Sequence, residues 1–420
     1  MPNSTTFLAP IPNATVEKKP FSQVDKGRVV SVITSDDEAL VIARQLAAEF
    51  LVEAGLRDQT RQLPWNELER YVCSGLWAIS IPKEYGGAGV SNVTLAEVIA
   101  IISSADGSIG QIPQNHFYAV EILRVNGTES QKQFFFERVL LGDRFGNALA
   151  ELGTRTSQDR TTRLTRDGKG FRINGRKFYA TGALYADWIP TSVIDDDGIQ
   201  QLAFVPRSAE GLTITDDWSG FGQRTTGSGS VLLENVTVDA NHIVSFQAAF
   251  ERPTHIGPFA QLLHAAIDLG LARAAITDTI GFVRSRSRPW VDSGAQRASE
   301  DPLTIHEVGN LTIHLHAAEA LLERAGRWVD QAAAHPDEES VAAASIAVAE
   351  ARVLTTEISL LAGSKLFELA GSQSTLAEHN LDRHWRNART HTLHDPVRWK
   401  YFAVGNYYLN GKKPPRHGAI

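Results

Sequence analysis

The stretch RNARTHTLHDP, from Arg386 to Pro396, places two arginines, two histidines and an aspartate close together near the C-terminus. Asp395 followed by proline is typical of a helix start, because a carboxylate can cap free N–H groups and proline suits the first helical position. His391 and His394 are therefore expected in a loop that leads into a helix N-terminus, where partial positive charge favours an anionic ligand group. The alternative is that both histidines complete a buried turn. A metal site is not favoured, because the aspartate is needed as the cap.

Length and composition exclude several classes of protein. The chain has 420 residues, of which 43% are hydrophobic and 21% charged, as in ordinary globular proteins. A formal net charge of -7 argues against nucleic-acid binding. Cys73 is the single cysteine, so no disulfide framework or thiolate metal cluster can form within one chain. No apolar run reaches about eighteen residues and the N-terminus lacks a signal pattern, so we expect a cytoplasmic protein without a membrane partner.

Four segments follow one another along the chain. Residues 1–34 are rich in Pro, Ser and Thr and predict an N-terminal arm. Residues 35–143 have apolar residues at helical spacing, and residues 144–245 alternate as antiparallel strands, with turns expected in DGKG and at Asn174-Gly175. Residues 246–420 predict a helical bundle. Its four long amphipathic patterns lie at about 255–287, 303–334, 338–371 and 396–410.

This α+β order, together with IPKEYGGAGV at 81–90 and RKFYATGA at 176–183, resembles the acyl-CoA dehydrogenase superfamily. The segments DDWSGFGQRTTGSGSV at 216–231, RSRPW at 286–290 and RHWRNARTHTLHDPVRWK at 383–400 resemble its flavin-dependent monooxygenase branch, which includes dibenzothiophene monooxygenase and the sulfur-acquisition oxidoreductases. The last of these segments is the most specific. The resemblance extends from about residue 36 to residue 411 and implies an acyl-CoA dehydrogenase-like fold.

The resemblance also implies a reaction. In this branch, reduced FMN, rather than FAD, lies between the β-domain and the helical bundle, and a flavin C4a-(hydro)peroxide oxygenates a small, often sulfur-containing molecule. The chain has no nicotinamide fingerprint of its own, because Gly87 and Gly89 are followed by Asn92 where the motif needs glycine. We therefore expect a separate flavin reductase as partner, with dioxygen as co-substrate. A homotetramer, or at least a dimer, is implied as well.

Site residues are carried over from the resemblance position by position. His394 matches a histidine that binds flavin and steers the oxygen intermediate, and Thr181 stands where relatives have a serine whose hydroxyl contacts the flavin edge. Arg288 matches an arginine that holds the flavin phosphate across a subunit interface. The catalytic set is His394, Thr181, Asn147 and His116. The cofactor-binding set is Asn115, Asn147, Lys177, Phe178, Tyr179, Ala180, Thr181, Arg288, Ser372, Gln373 and His394.

Three positions depart from the branch. Gln111 and Asn115 replace an active-site histidine and tyrosine, which removes a proton donor and favours a smaller or more polar substrate than a fused aromatic thiophene. His116, one residue further on, is a candidate substitute for that donor. Gln373 replaces an arginine, so one positive charge for the flavin phosphate is missing.

Two other functions remain as alternatives. An acyl-CoA dehydrogenase needs a carboxylate base at the substrate α-carbon. The run RTHTLHDP contains no glutamate, and Asp395 is expected to act as a cap, which weighs against that activity. A non-catalytic flavin-binding protein is the third interpretation. Three assay results distinguish these functions. Oxygen-dependent turnover supports the monooxygenase, and flavin bleaching by an acyl-CoA without oxygen supports the dehydrogenase. Inactivity in both assays supports the non-catalytic protein.

Overall fold

The computed structural model describes residues 28–156, 159–168 and 170–420. Most of the predicted N-terminal arm, residues 1–27, lies outside these ranges. Residues 28–34 lie along the third helix, where Ser31 donates a main-chain hydrogen bond to the carbonyl of Cys73 at 2.9 Å. Within the described residues the chain forms thirteen α-helices and one seven-stranded sheet.

The first helical part confirms the predicted helical spacing. The helices are broken between residues 51 and 54 and again between residues 111 and 114. Ser35 caps the first helix by accepting from the N–H of Glu38. Between residues 107 and 126 the helix is interrupted at Pro113, which has no N–H to continue the ladder. The helices are α1 (Asp36–Leu51), α2 (Ala54–Thr60), α3 (Trp65–Cys73), α4 (Asn92–Ala105), α5 (Gly107–Gln111), α6 (Gln114–Asn126) and α7 (Glu129–Leu140).

The middle part is a sheet in the order β5-β6-β2-β1-β3-β4-β7. All neighbouring strands are antiparallel except β1 and β3, which form one parallel pair. The turn predicted at Asn174-Gly175 is wrong. The strand continues through it, with a shift in register that moves its pairing along β6. The strands are β1 (Arg163–Asp167), β2 (Gly170–Lys177), β3 (Trp188–Ile194), β4 (Gln200–Pro206), β5 (Leu212–Thr215), β6 (Ser230–Val238) and β7 (Ile243–Ser245).

The C-terminal part contains the four predicted long helices and two more, the four-residue α8 and the longer α12. Helix α12 ends at His391, so this histidine lies on a helix and not in the expected loop. The helices are α8 (Ala248–Glu251), α9 (Ile256–Ser285), α10 (Pro302–Ala334), α11 (Glu338–Ala370), α12 (Asp382–His391) and α13 (Arg398–Asn410).

Helix α9 is the central element of the helical core. It packs against α4, α10, α11 and α12, and at Gly270 an added Cβ would lie 2.4 Å from the carbonyl oxygen of Ala100 on α4. By length and apolar composition α9 could cross a membrane, although the sequence pattern predicted no such helix. In the structure 89% of its most apolar window is buried within the protein, as in a core helix.

Candidate functional site

Helix α12 joins the three parts of the chain. The guanidinium of Arg386 donates to the carboxylate of Asp58 in α2, at 2.6 Å, and to the carbonyl of Phe221 in the loop after β5, at 3.0 Å. Beside it, Asn387 Oδ1 accepts the main-chain N–H of Gln223 at 2.7 Å. Main chains also meet here, because a Cβ on Gly222 would lie 2.0 Å from the carbonyl oxygen of Arg386. The site is therefore built where α12 docks on the β-domain loop.

A buried histidine relay begins at the end of α12. His391 donates from Nδ1 to Asp268 of α9 at 2.5 Å, and its Nε2 accepts from Nδ1 of His264 at 3.1 Å. Burial acts to raise the pKa of Asp268, but Arg352 and His391 outweigh it and hold that pKa below its usual value. Burial lowers the pKa of His391. Burial and the two neighbouring histidines, His391 and His394, take the pKa of His264 well below the ordinary value. Both rings are therefore neutral, and their tautomers are set by the ionised aspartate.

His394 lies over this relay. Its ring centroid is 3.9 Å from that of His264, and its side chain is 50% exposed. Nδ1 donates to Asp395 Oδ2 at 3.0 Å, and the same oxygen accepts from Gln261 Nε2 at 2.9 Å. Burial acts to raise the pKa of Asp395, but the charge of His394 and its hydrogen bond hold that pKa below the usual range. The arrangement leaves Nε2 of His394 for a ligand.

The predicted capping role of Asp395 is wrong. Helix α13 begins at Arg398 after Val397, and no side chain caps it. Asp395 is 5% exposed and turns inward to His394 and Gln261 instead. The carboxylate that the sequence pattern assigned to a helix end is thus an orienting partner for a histidine.

Thr181 starts a chain of buried hydroxyls that runs back to α12. Its Oγ1 is 2.7 Å from Ser228 Oγ, which is 2.7 Å from Thr226 Oγ1. Thr226 donates to the main-chain carbonyl of Gln223 at 3.0 Å. Because the N–H of Gln223 is bonded to Asn387, the chain connects Thr181 to the helix that ends in His391.

The segment after β2 leads into this chain. Tyr179 has a left-handed backbone, with φ of 63°, which is uncommon for a bulky side chain. Its carbonyl accepts from Asn147 Nδ2 at 3.2 Å and from the N–H of Thr181 at 2.8 Å. Phe178 and Ala180 flank it and are bonded through their N–H groups to the main chain of Ala150 and Gly229. Asn147 also accepts from the N–H of Leu149, so its amide is largely committed to holding this segment.

Several buried polar atoms here have no partner among the described residues. Both amide atoms of Gln223 are unpaired, as are Thr390 Oγ1 and Gln111 Oε1. Thr390 lies beside Gly222, the neighbour of Gln223, and the main-chain carbonyl of Ile112, the residue after Gln111, lies beside Gly182, the neighbour of Thr181. Unpaired buried polar groups are costly unless a ligand satisfies them. The donors and acceptors suit the polar edge of a flavin ring.

Two predicted residues are placed away from any ligand. His116 is fully buried; Nε2 is 2.9 Å from the carbonyl of Trp77, and Nδ1 accepts from the N–H of Phe145. Burial lowers its pKa to about 3. Both ring nitrogens are thus used by the main chain, and we correct the expectation that His116 acts as a proton donor. Lys177 is also fully buried, with its ammonium 2.6 Å from Glu151 Oε1, so its side chain cannot reach a flavin phosphate.

Three predicted cofactor-binding residues, Arg288, Ser372 and Gln373, lie elsewhere in the structure. Ser287 Oγ donates to the carbonyl of Ala370 at 3.0 Å, which brings the loop of Arg288 to the end of α11. Ser372 and Gln373 follow there, and all three predicted residues are exposed. His264 and Ser285 are 21 positions apart on α9, about 32 Å at the helical rise of about 1.5 Å per residue. The structure therefore does not bring Arg288, Ser372 and Gln373 together with His394 in one chain. Asn115 is half-buried at the start of α6.

Three family models match the chain in sequence order. They describe the N-terminal, middle and C-terminal domains of acyl-CoA dehydrogenases and match residues 37–143, 148–236 and 262–399. Over 398 residues the chain is 32% identical to dibenzothiophene monooxygenase of Rhodococcus qingshengii, with 90% of this chain and 95% of the relative covered. This protein belongs to the acyl-CoA dehydrogenase family. The fold and family expected from the sequence resemblance are thus confirmed.

Other relatives place this family member in the same branch. It is 32% identical over 394 residues to the probable FMNH2-dependent monooxygenase SfnC of Pseudomonas putida, with 91% of this chain and 98% of the relative covered. The solved structure of FMN-bound TdsC from Paenibacillus sp. A11-2 superposes with a TM-score of 0.87 at 30% identity, covering 91% and 100% of the two chains. Methanesulfinate monooxygenase MsuC of Pseudomonas fluorescens gives 0.85 at 32% identity, covering 91% and 99%.

The histidine relay was only partly visible in the sequence. His391 and His394 stood out because they lie within eleven residues of one another and of Asp395. His264 and Asp268 were missed, since they occur in an otherwise apolar helix more than 120 positions earlier. Their i, i+4 spacing on one face of α9 was the one available signal. Gln223, Thr226 and Ser228 lie in the segment 216–231. That segment carries part of the family resemblance, but none of the three residues was assigned a role.

Proposed function

We propose that this protein is a reduced-FMN-dependent monooxygenase that transfers one atom of dioxygen to a small sulfur-containing molecule. The observation that carries the proposal is the half-exposed imidazole of His394, which is held by a buried carboxylate above a neutral histidine relay. A dehydrogenase would need a free carboxylate at this place. Asp268 is bonded to Arg352 and His391, and Asp395 to His394 and Gln261, so neither is free to act as that base.

The residues around Thr181 would hold the flavin ring. The Thr181 oxygen, the unpaired amide of Gln223 and the unpaired hydroxyl of Thr390 offer hydrogen bonds to its polar edge. Reduced FMN, when bound, supplies the two electrons that activate dioxygen. His394 can carry a proton on Nε2 and release it in the site, while Asp395 balances the charge of the imidazolium. The second oxygen atom leaves as water.

Gln111 and Asn115 define the substrate side in this proposal. Gln111 Oε1 is buried without a partner, so a bound molecule with a hydrogen-bond donor, or an ordered water, would satisfy it. The N–H groups of amides at both positions can donate to the oxygens of small polar sulfur compounds, such as sulfinates and sulfones, which a fused aromatic thiophene lacks. A thiophene oxidised faster than every such compound would contradict this assignment.

We also propose that the protein forms a homo-oligomer in which Arg288, Ser372 and Gln373 serve the flavin of a neighbouring chain. The separation of about 32 Å along α9 is beyond the reach of one mononucleotide within a chain. Large apolar side chains are exposed on two helices of the bundle, as at subunit interfaces. They are Trp399, Phe402 and Leu409 on α13 and Leu303 and Ile313 on α10.

The remaining partners follow from the same reaction. The absence of a nicotinamide fingerprint from the sequence supports a separate flavin reductase, which reaches this protein transiently or through diffusing reduced flavin. A cytoplasmic location is consistent with that requirement, since both enzymes would need access to the same pool of reduced nicotinamide.

Turnover with reduced FMN tests the proposed function. The purified protein is supplied anaerobically with reduced FMN, mixed with oxygenated buffer, and assayed by mass spectrometry against sulfinates, sulfones, sulfides and thiophenes. We expect a product that contains one oxygen atom from labelled dioxygen. His394→Ala should abolish this product while thermal unfolding remains cooperative. Bleaching of bound oxidised flavin by an acyl-CoA without oxygen would instead establish a dehydrogenase.

Arg288→Ala tests the proposed role of a neighbouring chain. Losing one charged hydrogen bond should weaken FMN binding by about 1.5–3 kcal/mol. Isothermal titration with FMN measures the effect. Arg286→Ala is the matched control, because the Arg286 guanidinium lies over the Phe282 ring and has no assigned role in binding. Equal affinities for the wild-type protein and the Arg288 variant would remove Arg288 from the site.

A further inference from the structure

The chain of hydroxyl groups that starts at Thr181 has a single direction of hydrogen-bond donation. Its members are Thr181, Ser228 and Thr226, and it ends at the main-chain carbonyl of Gln223. Three hydroxyl protons are available for three oxygen–oxygen contacts, and the terminal carbonyl can only accept. All three contacts hold a proton only if Thr226 donates to Gln223, Ser228 to Thr226, and Thr181 to Ser228. The hydroxyl of Thr181 therefore donates inward.

The end of the chain is firmly held. The carbonyl of Gln223 also accepts from Trp218 Nε1 at 2.9 Å, and the N–H of Gln223 donates to Asn387 at 2.7 Å. All three hydroxyl residues are at most 6% exposed, so water does not compete for their protons. A reversal would leave two oxygens 3.0 Å apart with no proton between them, which is unfavourable in a buried site. The direction of donation along the hydroxyl chain is thus fixed by the structure of the loop after β5.

The consequence for Thr181 is that its oxygen offers only lone pairs to a ligand. A reduced flavin carries a hydrogen on ring nitrogen N5 and can donate it, whereas N5 of an oxidised flavin is itself an acceptor. We propose that Ser228 and Thr226 are positioning residues that make Thr181 an obligate acceptor and so select reduced over oxidised FMN. This inference rests on the proposed function. It explains how the site would accept the reduced cofactor and release it after oxidation.

Thr226→Val tests the proposal because it keeps the side-chain shape and removes only the remote end of the chain. Ser228 then loses its acceptor and can donate to Thr181, whose own proton becomes free to face the flavin. The readout is the ratio of the dissociation constants for oxidised and reduced FMN, measured aerobically and anaerobically. We expect this ratio to fall by about fivefold to tenfold, for one neutral hydrogen bond. The midpoint potential of the bound flavin should fall by about 20–30 mV.

Two variants serve as controls. Thr226→Ser restores the hydroxyl and should restore the wild-type ratio. Thr225→Val makes the same change one residue earlier, at a threonine whose hydroxyl is not in the chain, and should leave the ratio unchanged. Ser228→Ala, which interrupts the chain at its centre, should repeat the effect of Thr226→Val and covers the case in which that variant does not fold.

A flavin analogue separates this inference from the proposed function. With 5-deaza-FMN, in which carbon replaces N5, the wild-type protein and Thr226→Val should have the same ratio. An unchanged ratio for FMN in Thr226→Val and Ser228→Ala, in proteins that still bind and oxygenate, would overturn the inference and leave the proposed function intact. Failure of the wild-type protein to bind either form of FMN would overturn both.

Discussion

At the scale of single residues, His394 and Asp395 act as a pair. The carboxylate accepts from Nδ1, so the tautomer and the ring plane of His394 are set by a buried charge. Gln261 of α9 donates to the same carboxylate oxygen. An isolated imidazole in the same place would be free to rotate and to change tautomer. The sequence pattern thus indicated the histidine, whereas its orientation depends on the Asp395 carboxylate, which Gln261 of α9 also contacts.

Asp395→Asn should reduce oxygenation by about tenfold to a hundredfold, because an amide does not fix the Nδ1–H tautomer or balance the imidazolium. The rate of substrate oxidation at saturating reduced FMN, measured from pH 5.5 to 8.5, is the readout. We expect the pH profile to shift as well as the maximum. An unchanged profile would show that Asp395 has only a structural role. Asp382→Asn, on the exposed start of α12, is a control for charge alone.

Lys177 and Glu151 form a second buried pair with a purely structural geometry. Glu151 also accepts from both Thr161 and Thr162, through their main-chain and hydroxyl groups. Burial acts to raise the pKa of Glu151, but Lys177 and the threonines take it down to about 2. Burial lowers the pKa of Lys177 to about 8.

Glu151→Gln should lower the free energy of unfolding by about 3–5 kcal/mol, because it leaves the Lys177 ammonium buried without its counter-charge. Urea denaturation at pH 7 measures this. The double variant Glu151→Gln with Lys177→Met removes both charges and should recover most of the loss. A double variant as unstable as the single one would contradict the ion-pair explanation.

At the scale of elements, helix α12 was not predicted from the sequence, and its composition explains why. Its sequence DRHWRNARTH has few apolar residues, so no hydrophobic period marks it. It is held instead by polar contacts to partners far away in sequence: Arg383 and His384 bond to Asp278, and Arg386 bonds to Asp58. The segment boundaries at 34/35, 143/144 and 245/246 remain our proposed domain limits.

Arg386→Ala should lower the free energy of unfolding by about 3 kcal/mol, because it leaves the nearly buried Asp58 carboxylate without its ion pair. The hydrogen bond from Arg386 to the carbonyl of Phe221 is lost in the same variant. Denaturation monitored by tryptophan fluorescence measures the effect. Arg389→Ala, on the same helix but without an ion pair among the described residues, should cost under about 1 kcal/mol. Similar losses in both variants would mean that helix content, and not the Asp58 contact, matters here.

At the scale of the whole molecule, the order of helices and strands was predictable and the long-range partners were not. The helical periods of α9, α10 and α11 are local signals, and they were read correctly. The turn assigned at Asn174-Gly175 failed because pairing with β6 overrode a local turn preference. The contacts of His391 with Asp268 and of Gln223 with Asn387 depend on tertiary packing, for which a single sequence contains no signal.

The protein should lose stability as the pH falls from 7 to 5. The rings of His116, His264 and His391 all have pKa values below the ordinary 6.5, so below that pH the unfolded chain binds protons that the folded chain does not. Each ring can contribute up to about 1.4 kcal/mol per pH unit. Urea denaturation across this range gives the slope. His116→Gln should make it shallower, while a substitution at the exposed His306 should not. A flat profile would contradict the neutral relay.

The close contact at Gly222 limits how the pocket can be redesigned. A methyl group there would lie 2.0 Å from the Arg386 carbonyl and 2.7 Å from the Thr390 hydroxyl. Under the proposed substrate assignment, libraries aimed at bulkier substrates vary Gln111 and Asn115, where removing an amide makes room. At Gly222 the two backbones already touch, so any side chain there would push α12 away from the loop after β5, and this position should stay glycine in every library.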